Sequence, residues 1–301
     1  MLLQQLINGL TLGSIYALIA LGYTLVYGIL LLINFAHSEI FMMGAYFGLF
    51  TLNLLGRLHL FQGSPVMLVF CAIAAAMLCT AVLGAAVEFV AYRPLRKAPR
   101  LAPLISAIGV SIFLQNLMMI VVSPQSQPFP ETVPLHVFKI SKNASVSSLQ
   151  IFIIITSVLL MLVLNLFIRR TKLGKAMRAT SQDAETAKLM GINVNMVISL
   201  TFFIGAALGG AAGVLNGMYY GSVKYNMGFI PGIKAFTAAV LGGIGDVRGA
   251  MIGGFALGIL ESMGAGYISS AYKDVFAFII LILVLVFRPE GLLGRKAAIK
   301  V

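Results

Sequence analysis

The chain has 301 residues, of which 60% are hydrophobic and 10% charged, and its mean hydropathy is +1.00. Soluble domains carry about 25% charged residues to face water, so a water-soluble fold is excluded. The formal charge of +12 does not indicate nucleic-acid binding, because most of the 21 Lys and Arg fall in three short segments flanking apolar tracts, where they act as topology signals.

The apolar tracts are solid runs of helical length, whereas a transmembrane barrel needs segments of about 10 residues alternating in and out. The predicted fold class is therefore all-α, a polytopic transmembrane helical bundle of about eight spans with discontinuous segments, forming one domain over residues 1–301. No charge precedes Glu39, which predicts one long or tilted helix ending near Ile33. The N-terminus lacks a basic region and a small-residue cleavage site, so this stretch is expected to stay in the mature protein. A second span or half-span runs from Ile40 to Gly56, followed by Arg57 and a short loop through Gln62, Gly63 and Pro65.

Val66–Val87 is the third span, with Cys71 and Cys79 read as packing residues. It leads into Glu88 and Arg93-Pro94-Leu95-Arg96-Lys97-Ala98-Pro99-Arg100, whose four cations place that loop in the cytoplasm. Leu101–Val122 is the fourth. Residues 123–150 are polar, marked by Pro124, Pro128, Pro130 and Pro134, and are expected outside; Asn143-Ala144-Ser145 there matches a glycosylation pattern that is common by chance. Ile151–Ile168 returns the chain to Arg169, Arg170, Lys172, Lys175 and Arg178, a second cytoplasmic loop over 169–193.

Val194–Tyr220 is the sixth span, with Gly205, Gly209, Gly210 and Gly213 allowing close helix approach. Ala235–Gly245 and Ala250–Leu260, separated by Asp246 and Arg248, are too short to span singly at about 1.5 Å per residue, so this region is expected to be re-entrant or discontinuous. Val275–Phe287 must borrow length from Ser269–Asp274 to cross. Arg288, Arg295, Lys296 and Lys300 then put the C-terminus in the cytoplasm.

Ionisable groups at mid-bilayer cost about 2.5–3.5 kcal/mol on insertion scales, so they are the first functional candidates. The densest polar cluster is Asn34-Phe35-Ala36-His37-Ser38-Glu39, readable as a lining for a substrate path or as an interfacial turn. Glu88 and Glu261 read as snorkelling or interhelically bonded acids, and Asp246 and Arg248 as a pair across Val247. Thr180-Ser181-Gln182-Asp183 has a capping-box spacing and Gly191 follows Met190, which predicts a short helix from Ser181 to Met190 bearing Asp183, Glu185 and Lys188. There is no phosphate loop, no H-E-x-x-H and no G-x-S-x-G, so no catalytic residue, cofactor or metal ligand is expected.

The residues from Asn8-Gly9-Leu10-Thr11-Leu12-Gly13-Ser14 to Ala17-Leu18-Ile19-Ala20-Leu21-Gly22 resemble the first helix of the permease subunits of ABC importers for branched-chain amino acids, of the LivH type. Asn34-Phe35-Ala36-His37 opens the most specific motif of that family, with Ser38 standing where glycine is usual and Glu39 retained. Ala91-Tyr92-Arg93-Pro94-Leu95-Arg96, Leu104-Ile105-Ser106-Ala107-Ile108-Gly109, Lys234-Ala235-Phe236-Thr237 through Gly242-Gly243-Ile244-Gly245, and Gly249-Ala250-Met251-Ile252-Gly253-Gly254 are similar to further signatures. Arg248 replaces a common proline there. Glu185-Thr186-Ala187 with Gly191 resembles the E-A-A-x-x-x-G element that importer permeases present to their ATPases.

The resemblance implies the ABC importer permease fold and no chemistry in this subunit. Asp183, Glu185, Ala187 and Gly191 would form the ATPase-coupling element. The implied partners are a second related permease, two cytoplasmic ATP-binding subunits and a periplasmic substrate-binding protein, in a bacterial inner membrane. Asn34, Phe35, His37, Ser38 and Glu39, with the broken helix at Gly242, Gly243 and Gly245, are expected to line or gate the translocation pathway. A stand-alone ion-coupled secondary transporter, with Glu39 or Glu261 carrying the ion, is the alternative.

Overall fold

The computed structural model describes residues 1–59, 64–96, 98–99, 101–134, 136–141, 144–288 and 290–294. Gln62, Gly63, Lys97, Arg100, Asn143 of the glycosylation pattern, and the tail residues Arg295, Lys296 and Lys300 lie outside them. The helices are α1 (Leu2–Leu30), α2 (His37–Arg57), α3 (Pro65–Val87), α4 (Leu101–Val121), α5 (Ser148–Arg170), α6 (Lys172–Gln182), α7 (Ala184–Leu189), α8 (Val194–Tyr220), α9 (Phe229–Gly242), α10 (Val247–Tyr267) and α11 (Lys273–Phe287). A π-helical turn, Glu88–Tyr92, continues α3. Four short strands, β1 (Gln127–Pro128), β2 (Val137–Ser141), β3 (Ala144–Ser147) and β4 (Ser222–Val223), form two antiparallel pairs, β1 with β4 and β2 with β3.

Among the described residues, 8 helical segments are long and apolar enough to cross a membrane, and α9 is a shorter apolar helix. The protein is a multi-pass membrane protein. α1 ends at Leu30, short of the expected Ile33, because Leu31 turns left-handed at φ 55 and donates its N–H to the Tyr27 carbonyl. α3 starts with Pro65 in its first turn, where a missing N–H costs nothing. α5 starts on a capping box in which Ser147 and Gln150 satisfy each other's backbone N–H. As expected, the last crossing borrows length: the helical segment runs from Ser270 to Phe287.

Glycine sets the packing at the centre. Gly9 and Gly13 of α1 face Ile259 and Phe255 of α10 so closely that a methyl on Gly13 would stand 2.8 Å from the Phe255 Cα, and Gly254 and Gly258 present the reciprocal surface. Without a hydrophobic drive between helices in lipid, such backbone approach is what holds a bundle together. Gly44 of α2 meets Gly210 of α8 in the same way, and Gly84 of α3 meets Ala206.

Such contacts also give the relative directions of α1, α9, α10 and α11. Gly9 faces Ile259, Gly254 faces Ala17 and Gly28 faces Gly245, so α1 and α10 are antiparallel. Gly253 against Ala238, and Gly249 against Gly242, make α9 antiparallel to α10. Gly264 against Phe276 makes α11 antiparallel to α10. α1, α9 and α11 therefore run one way and α10 the other, and Leu2 and Arg288 lie at opposite ends of the bundle.

Two sequence expectations are corrected. The run Ala250–Leu260 is not a half-span: α10 has 21 residues, Val247–Tyr267, because Asp246 caps its start and Glu261 is neutralised in place instead of ending it. The short polar helix does not begin on Thr180. Thr180 is buried in the last turn of α6, which Thr171 caps by accepting from the Gly174 N–H, and a residue already inside a helix has no free N–H groups to cap. Asp183 is the cap, accepting from the N–H of Glu185 and Thr186 at 3.0 and 3.2 Å, and α7 has 6 residues. Gly191 closes it at φ +82.

Candidate functional site

After α1 the chain folds back, so that His37 at the start of α2 stands beside Gly22. At about 1.5 Å per residue, Gly22 lies about 12 Å in from the end of α1, which places the His37–Glu39 turn at membrane depth. The imidazole fills a notch between Gly22 of α1 and Gly209 of α8; a methyl on Gly209 would be 3.2 Å from Cε1, and Gly22 admits no methyl at all. Tyr23 meets the ring edge-on at 4.8 Å between centroids. His37 Nε2 is buried, and the Ile19 carbonyl of α1 faces the ring.

Ser38 Oγ donates to the Phe35 carbonyl at 2.9 Å. Glu39, in the first turn of α2, has its charge at the favourable end of the helix dipole. The residue is 1% exposed and its Oε2 lacks a hydrogen-bond partner. Ser111 of α4 faces the same carboxyl group. A methyl on Gly228, just before α9, would stand 2.9 Å from Oε2, and one on Gly232 would stand 3.3 Å from the Tyr23 hydroxyl. Phe35 points outward. Asn34 is a buried strut: its Oδ1 accepts from the Ala36 N–H at 3.1 Å and from the Tyr92 hydroxyl at 3.0 Å.

His37, Ser38 and Glu39 thus converge with Tyr23, and the glycines beside them are Gly22, Gly209, Gly228 and Gly232. Gly242, Gly243 and Gly245 lie in the break between α9 and α10, near the end of α1. Gly242 packs on Gly249, and Gly245 faces Gly28. Gly243 and Gly245 have φ of 104° and 96°, which side chains strongly disfavour. The N–H groups of Leu292 and Leu293 donate to the carbonyls of Leu241 and Gly242 at 2.8 and 2.9 Å, satisfying the end of α9 from the segment after α11. A cleft of about 480 Å³ opens here, lined by Gly28, Gly245, Arg248, Arg169 and Arg178 among others. Asp246 does not pair with the Arg248 side chain across Val247; its Oδ1 accepts the N–H of Arg248 and Gly249 at 2.8 and 2.9 Å, as a helix cap.

Two polar centres have partners that the sequence did not reveal. Lys234 of α9 is buried between Glu261 of α10, at 2.7 Å, and Asp274 of α11, at 2.6 Å, with the Tyr16 ring 5.8 Å away. A lysine inside an apolar run was the visible signal, yet its partners are far along the chain. Glu88, wholly buried in the π turn, is paired with Arg96, lies 3.6 Å from Arg93 and accepts from the Ser199 hydroxyl at 2.6 Å. It is the interhelically bonded acid of the two readings.

At the bundle end that carries Arg169, Arg170 and Arg96, α7 forms an elbow with Asn193, which caps α8. Ala187 is buried against the bundle and Glu185 is exposed. Leu189 and Met190 project at 87% and 78% exposure, an apolar pair amid polar surface.

The family model for the permease component of branched-chain amino acid transport systems matches residues 5–285. BraD of Pseudomonas aeruginosa, a high-affinity branched-chain amino acid transport system permease protein, is 51% identical over 99% of this chain and 98% of its own. LivH of Escherichia coli K12, described in the same words, is 47% identical over 99% and 97%. A probable LivH of Methanocaldococcus jannaschii is 27% identical over 94% and 89%. With the family model and the bacterial relatives both covering nearly the full length, the chain belongs to the permease components of branched-chain amino acid transport systems.

Proposed function

We propose that this permease carries branched-chain amino acids, leucine, isoleucine and valine, across a bacterial inner membrane as part of an ATP-driven importer. The observation that carries the reading is the end-to-end similarity to BraD and LivH, whose names give that cargo. The partners are a second related permease, two cytoplasmic ATP-binding subunits and a periplasmic substrate-binding protein. The chain performs no chemistry. Its bundle switches between two access states, and the ATPases bias that equilibrium.

Sidedness follows from charge. Arg93, Arg96, Arg169, Arg170, Lys172, Lys175, Arg178, Lys188, Arg248 and Arg288 lie toward one end of the bundle, which makes that end cytoplasmic. On this reading loop 169–193 and the C-terminus face the cytoplasm, and residues 123–150 and Met1, at the end opposite Arg288, face the periplasm. The elbow of Asp183, Glu185, Ala187 and Gly191 is the ATPase contact, and exposed Leu189 and Met190 support it, because an apolar pair on a polar surface is a docking feature. The cluster of Tyr23, His37, Ser38 and Glu39 borders the substrate path, supported by a buried imidazole and a buried carboxylate, the latter with an unpartnered oxygen, in one region at membrane depth.

Purification of the chain from native membranes tests this reading, followed by uptake assays with a panel of amino acids. Recovery of ATP-binding and permease neighbours, with ATP-dependent uptake of leucine, isoleucine or valine, is expected. ATP-dependent uptake restricted to another class of solute would overturn the cargo assignment.

A further inference from the structure

A continuous polar route joins the elbow to the buried turn that carries His37 and Glu39. Asn193 caps α8 by accepting from the Met196 N–H at 3.1 Å, so the elbow and the first turn of α8 are one piece. That turn presents Asn195, which accepts from Arg96 Nη1 at 2.7 Å, and the next turn presents Ser199, which accepts from Arg93 Nη2 at 3.2 Å and donates to Glu88 Oε2 at 2.6 Å. Glu88 opens the π turn and Tyr92 closes it. The Tyr92 hydroxyl donates to Asn34 Oδ1, and the Asn34 carbonyl accepts the His37 N–H at 3.1 Å.

Anchoring alone does not explain this construction. An acid at the end of a span can snorkel to water at little cost. Glu88 instead is fully buried, and its pairing with Arg96 together with its hydrogen bond from Ser199 of α8 offsets its desolvation. The π turn gives up regular helical hydrogen bonding, a distortion found mostly at functional positions. Here it spends one extra residue to bring Tyr92 against both Asn34 and the Phe202 ring, 5.0 Å away. The links between α8 and the π turn, and between the π turn and Asn34, are hydrogen bonds between different segments, so displacement of α8 either carries the π turn with it or breaks the link.

We infer that Ser199, Glu88 and Tyr92 are positioning residues that transmit movement of the ATPase-contact elbow, through Asn34, to the His37–Glu39 turn. The inference rests on the reading of residues 184–193 as the ATPase contact. Removing a link leaves the ATPases able to bind and hydrolyse ATP but lets α8 move without the turn, so hydrolysis no longer drives passage.

The test uses the complete importer in proteoliposomes, with uptake and ATP hydrolysis measured on the same preparation. Tyr92→Phe deletes only the hydroxyl, and Ser199→Ala deletes the hydroxyl that bridges Glu88 and Arg93. Each is expected to assemble and hydrolyse ATP near the parent rate, while amino acid transported per ATP falls about five-fold, the loss of one buried hydrogen bond. Phe202→Leu, which disturbs packing around Tyr92 and no hydrogen bond of the route, is expected to lower thermal stability and leave the ratio unchanged. The double variant Tyr92→Phe/Ser199→Ala is expected to be no worse than the more affected single, since two cuts in one route do not add. Should Tyr92→Phe fail to assemble, Ser199→Ala alone decides. A parental ratio in the assembled variants, or additive losses in the double, overturns the inference. A parent complex with no ATP-driven uptake overturns the functional reading itself.

Discussion

The ammonium of Lys234 lies 2.7 Å from the carboxylate of Glu261, a charge pair between α9 and α10 in which each side chain is 3% exposed. Breaking a buried pair by removing one partner leaves the other charge unpaired in a low-dielectric interior, at a cost of about 3–5 kcal/mol. Lys234→Met should therefore lower the thermal unfolding temperature in detergent sharply. Lys234→Met/Glu261→Met should recover most of the loss, with Asp274, on the more open side of the cluster, left to face solvent. Equal unfolding temperatures for the parent and the single variant would contradict the pairing.

Glu39 tests the substrate path. Its Oε2 has no partner, so a function for the charge predicts that Glu39→Gln, nearly identical in shape, lowers uptake by about ten-fold or more at normal complex levels, the scale of one charged hydrogen bond. Unchanged uptake would remove the charge from the mechanism.

The elbow makes a separable prediction. Leu189 and Met190 are so exposed that Leu189→Asp and Met190→Asp should leave the unfolding temperature of the isolated chain unchanged. As interface anchors each is worth about 2 kcal/mol, so the amount of ATP-binding subunit retained on purification should fall more than about ten-fold. Gly191→Pro, which cannot hold the φ of +82, and Glu185→Arg should uncouple or detach the ATPases as well. Full retention with full transport-coupled hydrolysis would argue that the ATPases bind elsewhere.

Glycine packing predicts an asymmetry between helices. A side chain at Gly258 would enter the backbone of Gly13, whereas Gly56 has no atom within 4 Å of where its side chain would begin. Gly258→Leu should drive α1 and α10 apart and abolish recovery of monodisperse protein, while Gly56→Leu should be tolerated. Size-exclusion profiles of the two variants check this directly.

The spans were legible because hydrophobic runs bounded by charge mark membrane helices regardless of their neighbours, and the positive phi at Gly191 was legible because local backbone demand selects glycine. Glu261 misled because a charge in a sequence marks a helix end only when nothing offsets its burial, and Lys234 does so from 27 residues away; Asp246 does mark a helix start, through the backbone N–H groups of Arg248 and Gly249 and not through the Arg248 side chain. Ser199 meets Glu88 across 111 residues and Tyr92 meets Asn34 across 58, separations that no periodicity reports. Thr180 and Asp183 both suit a cap, and only the packing of α6 decides between them. The gathering of Tyr23, Ser38 and Glu39 beside Gly228 depends on α2 starting level with Gly22, a consequence of the sharp turn at Leu31.

The most direct measurement compares the chain alone and the complete importer in sealed proteoliposomes, each given an imposed proton or sodium gradient or ATP. Concentrative uptake of leucine only with the ATP-binding subunits present and ATP supplied is the predicted result. Accumulation by the chain alone, driven by the ion gradient, would contradict the account and identify a self-sufficient carrier.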